Sequence, residues 1–252
     1  MDSWTPPDDL LKNRVVLITG AGNGIGRALS LASAGLGATV VLLDKHIPVL
    51  ETLYDDIENS GGPQPAIYPM NLEGATLKDY NDLANTLDQE FGRLDGLVHN
   101  AAELGTLAPL AHHDVEQWYK TLQVNLTAPF LLTQSCLNLL CQAPDASVLF
   151  LSDQTGRQGK AYWGAYAAAK AGLENFMQVL ADEMETNTPL RANSYDPGPV
   201  RTRLRRIAYP GEDSGKLAPP EAVITPCLYL LSEQAVHLTG GQYDRTHLPW
   251  QG

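Results

Sequence analysis

The stretch RVVLITGAGNGIGRALS, residues 14–30, joins a short apolar run to a glycine-rich turn and then to a helical pattern. Residues 14–19 are apolar and β-branched, which is typical of a strand buried on both faces of a sheet. TVVLLD, residues 39–44, is a second run of the same kind. A strand, a helix and a second strand in this order favour a right-handed crossover, so the stretch predicts the first unit of a parallel sheet.

The same alternation continues along the rest of the chain. It predicts about seven strands, at 14–19, 39–44, 65–72, 94–100, 146–152, 190–198 and 240–244. It predicts helices at 24–37, 47–60, 75–91, 114–141, 162–186 and 220–232. The predicted fold class is therefore α/β, a doubly wound parallel sheet with helices on both faces. No change in composition marks a boundary, so residues 1–252 are interpreted as one domain, with 1–13 as an N-terminal arm and 199–219 as a substrate lid loop.

The composition of the 252 residues excludes several classes of protein. Apolar residues make up 44 % and the formal net charge is −12, which allows a sizeable core and argues against nucleic acid or anionic membranes as partners. No apolar run approaches the ~18 residues of a membrane span. The N-terminus has acidic residues where a signal peptide needs basic ones. The sequence therefore predicts a soluble cytoplasmic protein.

Metal and disulfide sites are not predicted. Cys136, Cys141 and Cys227 are an odd number of cysteines without CxxC spacing, which argues against a disulfide framework and structural zinc. His112 and His113 come without a paired set of acids or cysteines, so we interpret them as capping or exposed residues rather than metal ligands.

TGAGNGIG, residues 19–26, lies between the first strand and the first helix, where α/β folds bind a dinucleotide. Gly20, Gly24 and Gly26 let the backbone turn sharply and approach a pyrophosphate, and the helix N-terminus supplies free N–H groups. A plain glycine-rich turn is the structural alternative.

Asp44 ends the second predicted strand, 18 residues after Gly26, close to the ~20-residue spacing of a ribose-binding acid. A carboxylate there accepts hydrogen bonds from both ribose hydroxyls and repels a 2′-phosphate, which favours NAD. Lys45 follows directly and is able to pair with that phosphate, so NADP stays open. A solvated loop acid is the structural alternative for Asp44.

Tyr166 and Lys170 form a YxxxK pair within YAAAK, residues 166–170. Four residues apart on a helix, the two side chains project from one face. An ammonium group beside a phenol favours the phenolate, which makes Tyr166 a candidate acid and base for interconverting a carbonyl and an alcohol. On its own the pair is equally explained by a core tyrosine and a surface lysine.

Four further segments accompany the glycine turn in chain order: HNAA (99–102), QVNL (123–126), YAAAK and DPGPVRT (196–202). Together they resemble the short-chain dehydrogenase/reductase family over essentially the whole chain. The stretch GRQGKAYWGAYAAAK, residues 156–170, is most similar to bacterial reductases of this family that have no assigned substrate. The resemblance implies a Rossmann-type fold, NAD(P)(H) as cofactor and a small carbonyl or secondary alcohol as substrate. It also implies a homotetramer or homodimer formed through the helices at 114–141 and 162–186.

The resemblance also implies roles for individual residues. Tyr166 is the acid/base, Lys170 lowers its pKa and binds the nicotinamide ribose, and Asn125 holds a water in a proton relay behind the lysine. The implied cofactor-binding residues are Gly20, Asn23, Gly24, Ile25, Gly26, Asp44, Asn71, Leu72, Asn100, Ala101, Tyr166, Lys170, Pro197, Gly198, Val200 and Thr202.

One position departs from the family pattern. The family's catalytic serine lies thirteen residues before the tyrosine and three before a glycine, and both counts lead to Asp153. An ionised aspartate only accepts hydrogen bonds, whereas the serine donates one to the substrate oxygen. Ser152 is adjacent, but successive strand residues face opposite sides, so a bulge is needed for it to substitute.

Three interpretations of Asp153 stay open. Burial beside Tyr166 protonates it and makes it a donor, or the enzyme tolerates the loss of the serine. In the third, the chain binds a dinucleotide with impaired or lost catalysis and has a regulatory or structural role.

The predicted lid loop carries four arginines, Arg201, Arg203, Arg205 and Arg206. They indicate either a landing site for an anionic group of a substrate or carrier or a solvated loop neutralised by Glu212 and Asp213. Trp118 and Trp163 are interpreted as packing residues, although Trp163 lies three residues before Tyr166 and is able to line the pocket.

Overall fold

The computed structural model describes residues 4–251. Within this range the strands are Val15–Thr19 (β1), Thr39–Asp44 (β2), Ala66–Pro69 (β3), Gly96–His99 (β4), Ala146–Leu151 (β5), Leu190–Asp196 (β6) and Gln242–Asp244 (β7). They form one sheet in the order β3-β2-β1-β4-β5-β6-β7, and every neighbouring pair is parallel. The strand order reverses between β1 and β4, which is the place where doubly wound sheets bind ligands. The predicted α/β doubly wound class is confirmed.

Helices connect the strands and cover both faces of the sheet. They are Gly24–Gly35 (α1), Ile47–Asn59 (α2), Leu77–Phe91 (α3), Val115–Leu122 (α4), Ala128–Gln142 (α5), Gln154–Arg157 (α6), Gly164–Glu185 (α7), Arg203–Ala208 (α8) and Thr225–Leu231 (α9). The predicted helix 114–141 is α4 and α5, joined by a π-helical turn over Gln123–Thr127.

The alternation of side chains along each strand explains the two cores. In β1, Leu17 belongs to a core with residues of α3, α5 and α7, whereas Ile18 belongs to a core with residues of α1, α2 and α9. Both side chains have no solvent exposure. Because successive strand residues point to opposite faces, a continuous apolar strand requires helices on both sides.

Some predicted boundaries differ from the structure. The predicted third strand, 65–72, ends at Pro69, and the predicted last helix, 220–232, begins as α9 only at Thr225. Prolines at 219 and 220 lie in a short 3₁₀ turn instead. The predicted lid loop 199–219 is partly ordered, since it contains α8 and a 3₁₀ turn at Ser214–Lys216.

The continuous helical stretch Val115–Gln142 is long and apolar enough to cross a membrane by length and composition alone, with a mean hydropathy of 1.2 over its best window. This average does not contradict the expectation from the sequence, because polar residues such as Lys120, Gln123 and Gln134 interrupt the stretch and leave no continuous apolar run of ~18 residues. Half of that window is buried inside the fold, and Leu132, Cys136 and Leu140 contribute to a core beside the sheet. The packing accounts for the apolar composition, as in a core helix of a soluble protein.

The beginning of the chain packs against its end. The indole of Trp4 meets the ring of Tyr229 edge-on at 5.0 Å and stacks on Trp250 at 5.7 Å, and Leu11 is fully buried. Residues 1–3 of the predicted arm lie outside the described residues.

Candidate active site

The glycine turn brings the carboxyl end of β1 against the carboxyl end of β4. Gly20 has a positive φ of 64°, and a Cβ at Gly26 would lie 2.2 Å from the carbonyl oxygen of Gly20. No larger residue fits at Gly26 without moving the turn, so glycine there allows the start of α1 to pack closely against the end of β1.

The N-terminus of α1 has no side-chain cap. Asn23 is the N-cap residue, but its side chain makes no capping hydrogen bond, and the first turn holds no acidic residue. The N–H groups of Gly24, Ile25 and Gly26 therefore face the turn at the positive end of the helix dipole. A dinucleotide pyrophosphate fits this terminus. Thr202 lies against it, since a Cβ on Gly24 would be 3.4 Å from the Thr202 methyl group.

Asn100 fastens the glycine turn to β4. Its Nδ2 donates to the carbonyl oxygens of Thr19 and Gly20, at 2.8 and 3.1 Å. The Thr19 hydroxyl accepts from the N–H groups of Asn100 and Ala101 and donates to the carbonyl of Val98. These contacts fix the two strand ends on which a cofactor would rest.

Asp44 lies at the end of β2 facing the same turn. Its Oδ2 accepts from the N–H of Gly22 at 3.2 Å, and its Oδ1 accepts from the N–H of His46 at 3.1 Å. Lys45 is exposed, and no ion pair to it is found among residues 4–251. Both groups named for cofactor choice thus lie at one strand end.

The segment after β3 completes this side of the edge. Leu72 is buried and its carbonyl accepts from the Gln123 amide at 3.4 Å, while Asn71 Oδ1 accepts from the N–H of Glu73 at 3.2 Å. Both residues follow β3 and therefore lie at the same carboxyl edge of the sheet as Asp44.

Tyr166 and Lys170 lie on one face of α7, beside the carboxyl end of β5. Lys170 Nζ donates to the carbonyl of Leu151 at 2.7 Å and lies 5.7 Å from the centre of the Tyr166 ring. Both side chains are buried. The Tyr166 hydroxyl has no hydrogen-bond partner among residues 4–251, so it is free to bond a substrate oxygen.

The pKa values at this pair follow from burial and from two carboxylates. Burial raises the pKa of Tyr166 well above its ordinary value, and Asp153 and Asp196 raise it further. This direction is opposite to the predicted lowering by Lys170. Burial lowers the pKa of Lys170 to about 8, because it outweighs the raising effect of Asp153, Asp196 and Glu174. At neutral pH the pair is therefore a phenol beside an ammonium group.

Asp153 is the N-cap of α6. Its Oδ1 accepts from the N–H and the hydroxyl of Thr155, at 2.8 and 2.7 Å. Ser152 pairs in register with β6 through its N–H and the carbonyl of Tyr195 at 2.9 Å, so no bulge turns it towards the site. Its hydroxyl is buried without a hydrogen-bond partner among the described residues. The structure therefore keeps a carboxylate at the position of the family serine.

Asn125 sits within the π-helical turn between α4 and α5. Its Nδ2 donates to the carbonyls of Thr121 and Glu103, both at 2.7 Å, and its Oδ1 accepts from the N–H of Glu103 at 3.2 Å. The side chain thus ties the turn to the segment after β4. The relay water inferred for it stays a prediction.

Asp196 is a site residue for which the sequence predicts no role, although it belongs to the DPGPVRT segment. It is 8 % exposed, and its Oδ1 accepts from the N–H of Gly198 at 2.7 Å. Burial raises its pKa. With Pro199 and Asp153 it lines a cavity of about 330 Å³. An acid beside the family's Pro–Gly turn was the available signal, and only the fold shows that it faces Asp153.

Near this cavity, Trp163 is a packing residue that also lines the cavity, whereas the four arginines lie in or beside α8. Trp163 is buried against Tyr166, with ring centres 5.7 Å apart, and also lines the cavity. Arg205 forms a bidentate ion pair with Glu212 at 2.6 and 2.7 Å, as the solvated-loop interpretation predicts. Arg201, Arg203 and Arg206 are exposed, and no ion pair to them is found among residues 4–251.

The two histidines and Trp118 lie apart from this chemistry. His112 ends a 3₁₀ turn and is exposed, and the His113 ring meets Trp118 edge-on at 5.8 Å. Among the described residues no group of three or more His, Cys, Asp or Glu is placed to hold a metal ion.

Comparisons with known proteins agree with this geometry. The family model described as short chain dehydrogenase matches residues 14–212. An uncharacterised oxidoreductase of Escherichia coli K12, YciK, is 39 % identical over 241 residues, covering 96 % of this chain and 95 % of that protein. A structure described as a short-chain dehydrogenase from Pseudomonas syringae has a TM-score of 0.93 at 42 % identity, covering 97 % of this chain and 99 % of that one. Another, from Shigella flexneri 2a and complexed with NADP, has a TM-score of 0.92 at 39 % identity, covering 94 % and 99 %. The chain therefore belongs to the short-chain dehydrogenase family of oxidoreductases.

Proposed function

We propose that this oxidoreductase interconverts a small carbonyl compound and a secondary alcohol with NAD(P)(H), and that Tyr166 is its acid/base. The observation that carries the proposal is the pair of Tyr166 and Lys170 at the sheet edge that also carries the glycine turn. Within residues 4–251 the Tyr166 hydroxyl has no hydrogen-bond partner. A bound nicotinamide supplies or accepts the hydride. The alternative of a dinucleotide-binding protein without catalysis is not favoured by the family relationship.

Residues of this chain donate and accept the proton that the reaction transfers. In reduction, Tyr166 holds its proton because burial and two carboxylates raise its pKa, and it donates that proton to the substrate oxygen. Lys170, fixed on the carbonyl of Leu151, places its positive charge beside the phenolate that remains. In oxidation the same proton returns from the alcohol to Tyr166. A screen of carbonyls with NADH and NADPH, and of alcohols with the oxidised cofactors, tests the proposal by nicotinamide absorbance.

We propose that the glycine turn, Asn100, Ala101, Asn71, Leu72 and the segment of Pro197, Gly198, Val200 and Thr202 bind the dinucleotide. Support comes from the uncapped start of α1 and from the position of Thr202 against Gly24. We propose a preference for NAD, because both carboxylate oxygens of Asp44 are held by backbone N–H groups at the end of β2, beside the glycine turn. The Shigella flexneri relative was solved in complex with NADP, so NADP(H) is the alternative cofactor. The test must therefore compare the affinities for NADH and NADPH.

NADH is expected to bind at least ~10-fold more tightly than NADPH, a difference of about 1.4 kcal/mol. Asp44→Ala should narrow or invert this ratio, because the ribose hydroxyls lose their acceptor and Lys45 meets no competing carboxylate. Fluorescence titration of both cofactors measures the two dissociation constants. Asp55→Ala removes the same charge from an exposed position of α2 and should leave the ratio unchanged. Equal affinities in the unmodified protein contradict the proposal.

We propose that two copies pair through α4, α5 and α7, as a homodimer or as half of a homotetramer. Exposed apolar side chains on all three helices support this, namely Tyr119, Phe130 and Val179. Phe130 is 42 % exposed and packs edge-on against Phe176.

Phe130→Asp is expected to weaken association at least ~10-fold, because aromatic anchors carry much of the binding energy of an interface and a charge there needs water. Sedimentation velocity over a range of micromolar concentrations measures the change. Ile47→Asp, an equally exposed apolar position on α2, is the matched control and should sediment like the unmodified protein. A monomeric unmodified protein rules the interface out.

We also propose that residues 1–252 form one domain that works in the cytoplasm. One sheet from Val15 to Asp244 supports a single domain. Cys136, Cys141 and Cys227 are free thiols, as in proteins of reducing compartments.

A further inference from the structure

The cavity beside Tyr166 has a chemical character that the hydride-transfer reaction does not itself require. Its volume is about 330 Å³, within the range of small-molecule sites. It lies between α6, the segment before α7, the turn after β6 and α8. Among its lining residues are two carboxylates, two amides and two aromatic rings, namely Asp153, Asp196, Gln154, Gln158, Trp163 and Tyr209.

The two carboxylates each have one satisfied and one free oxygen. Asp153 uses Oδ1 to cap α6, and Asp196 uses Oδ1 to accept from the N–H of Gly198. Neither Oδ2 accepts a hydrogen bond from any group within residues 4–251. The Asp196 residue is more than nine-tenths buried, but its Oδ2 is not cut off from solvent and opens into the cavity. The cavity thus presents two unused acceptors beside the candidate acid/base.

The cations of the same wall are already engaged. Lys160 Nζ donates to the hydroxyl of Tyr209 at 2.8 Å and lies over the rings of Tyr209 and Trp163. Arg205 pairs with Glu212 and stacks on the Tyr209 ring at 3.7 Å. An anionic substrate would have to displace these partners. A cationic substrate would be repelled by the positive charges of Lys160 and Arg205 before it reached the carboxylates.

Neutral hydroxyl groups fit this arrangement better than either ion. Hydroxyls donate to free carboxylate oxygens without adding charge, and they both donate to and accept from amides such as Gln154 and Gln158. The C–H face of a short carbon chain packs on the aromatic ring of Trp163. Resting on the proposed function, we infer that the substrate is a small polyhydroxylated alcohol or its keto form, with hydroxyls beside the reacting carbon that donate to Asp153 and Asp196.

The test compares matched alcohols with saturating NAD⁺ and, in parallel, NADP⁺. The panel is butan-2-ol, butane-2,3-diol and erythritol, with 1-aminopropan-2-ol as the ammonium analogue. We expect kcat/KM for the diol and for erythritol to exceed that for butan-2-ol at least ~10-fold, which is about 1.4 kcal/mol. A larger value for butan-2-ol or for the amino alcohol overturns the inference and leaves the proposed function intact.

Asp196→Asn is the informative variant, because its amide oxygen still accepts from Gly198 while an N–H₂ group replaces the free acceptor. We expect the ratio of kcat/KM for erythritol to kcat/KM for butan-2-ol to fall at least ~10-fold, because the altered charge beside Tyr166 acts on both substrates whereas the lost acceptor acts only on the polyol. Glu221→Gln, at an exposed position outside the cavity, is the charge-matched control. An unchanged preference in Asp196→Asn overturns the inference.

Calorimetric titration of the NADH and NADPH complexes with erythritol separates recognition from turnover. If erythritol binds and Asp196→Asn weakens this binding, the inference is supported even when no turnover is seen. The absence of turnover then counts only against the proposed reaction. Turnover of butan-2-ol together with no erythritol binding supports the reaction and overturns the inference.

Discussion

Tyr166→Phe is expected to lower kcat for the best substrate by roughly 10²–10⁴-fold, the contribution of a positioned acid/base. The phenol is the only group of the Tyr–Lys pair that carries a proton to the substrate oxygen in the proposed reaction. Its hydroxyl has no partner within residues 4–251, so phenylalanine leaves no protein donor or acceptor unsatisfied and the fold should persist. Steady-state kinetics at saturating cofactor, with a cofactor titration beside it, measures the effect.

Cofactor affinity in Tyr166→Phe should stay within a few fold of the unmodified protein, because Lys170 keeps its bond to Leu151. Tyr162→Phe makes the same change on an exposed side chain close in sequence and should retain full activity. Undiminished turnover in Tyr166→Phe means that another group moves the proton, and the proposed mechanism is then wrong.

The elements near the cofactor edge were predictable because short-range rules decide them. The apolar run of β1 needs burial on both faces, and the Gly20 and Gly26 positions tolerate no Cβ. The parallel direction of the strands follows from the helices that connect them through right-handed crossovers. These constraints act within a few residues or between successive elements, so the sequence displays them directly.

The chemistry of the substrate side was less predictable because it depends on contacts between distant segments. Asp196 and Asp153 are 43 positions apart in the sequence and become neighbours only when β5 and β6 pair. The prediction that Lys170 lowers the pKa of Tyr166 is wrong for the same reason. Burial and these two acids raise that pKa, and neither effect is visible in the spacing of Tyr166 and Lys170 along the helix. The π-helical turn at Asn125 likewise needs the carbonyl of Glu103 from another segment.

Asp153→Ser is expected to raise turnover of generic ketones and secondary alcohols by ~10²–10³-fold, about 2.7–4 kcal/mol of barrier, the effect of one hydrogen-bond donor at a developing oxyanion. The carboxylate at this position offers no donor when ionised and opposes a negative oxygen. Serine is itself a good N-cap, so it replaces Asp153 as acceptor for the Thr155 N–H at the start of α6. Measuring kcat/KM for butan-2-ol and cyclohexanone in both proteins tests the expectation.

Two control variants separate the hydroxyl from the charge. Asp153→Ala removes the carboxylate without supplying a donor, so it should gain far less activity than Asp153→Ser. The double variant Asp153→Ser/Tyr166→Phe should be as inactive as Tyr166→Phe alone, because the serine donates a hydrogen bond but does not replace Tyr166 as the acid/base.

The pH profile gives an independent reading of the same change. Asp153 raises the pKa of Tyr166, since a nearby negative charge disfavours the phenolate. Its removal, by Ser or by Ala, should therefore move to lower pH the rise of alcohol oxidation with pH, because oxidation needs the Tyr166 phenolate as its base. A drop in activity on the best substrate after Asp153→Ser shows that the carboxyl has a role of its own. If activity falls only for polyhydroxylated substrates and rises for generic ketones, the role of Asp153 is recognition of the substrate hydroxyls. If activity on ketones also falls, Asp153 is itself the proton donor.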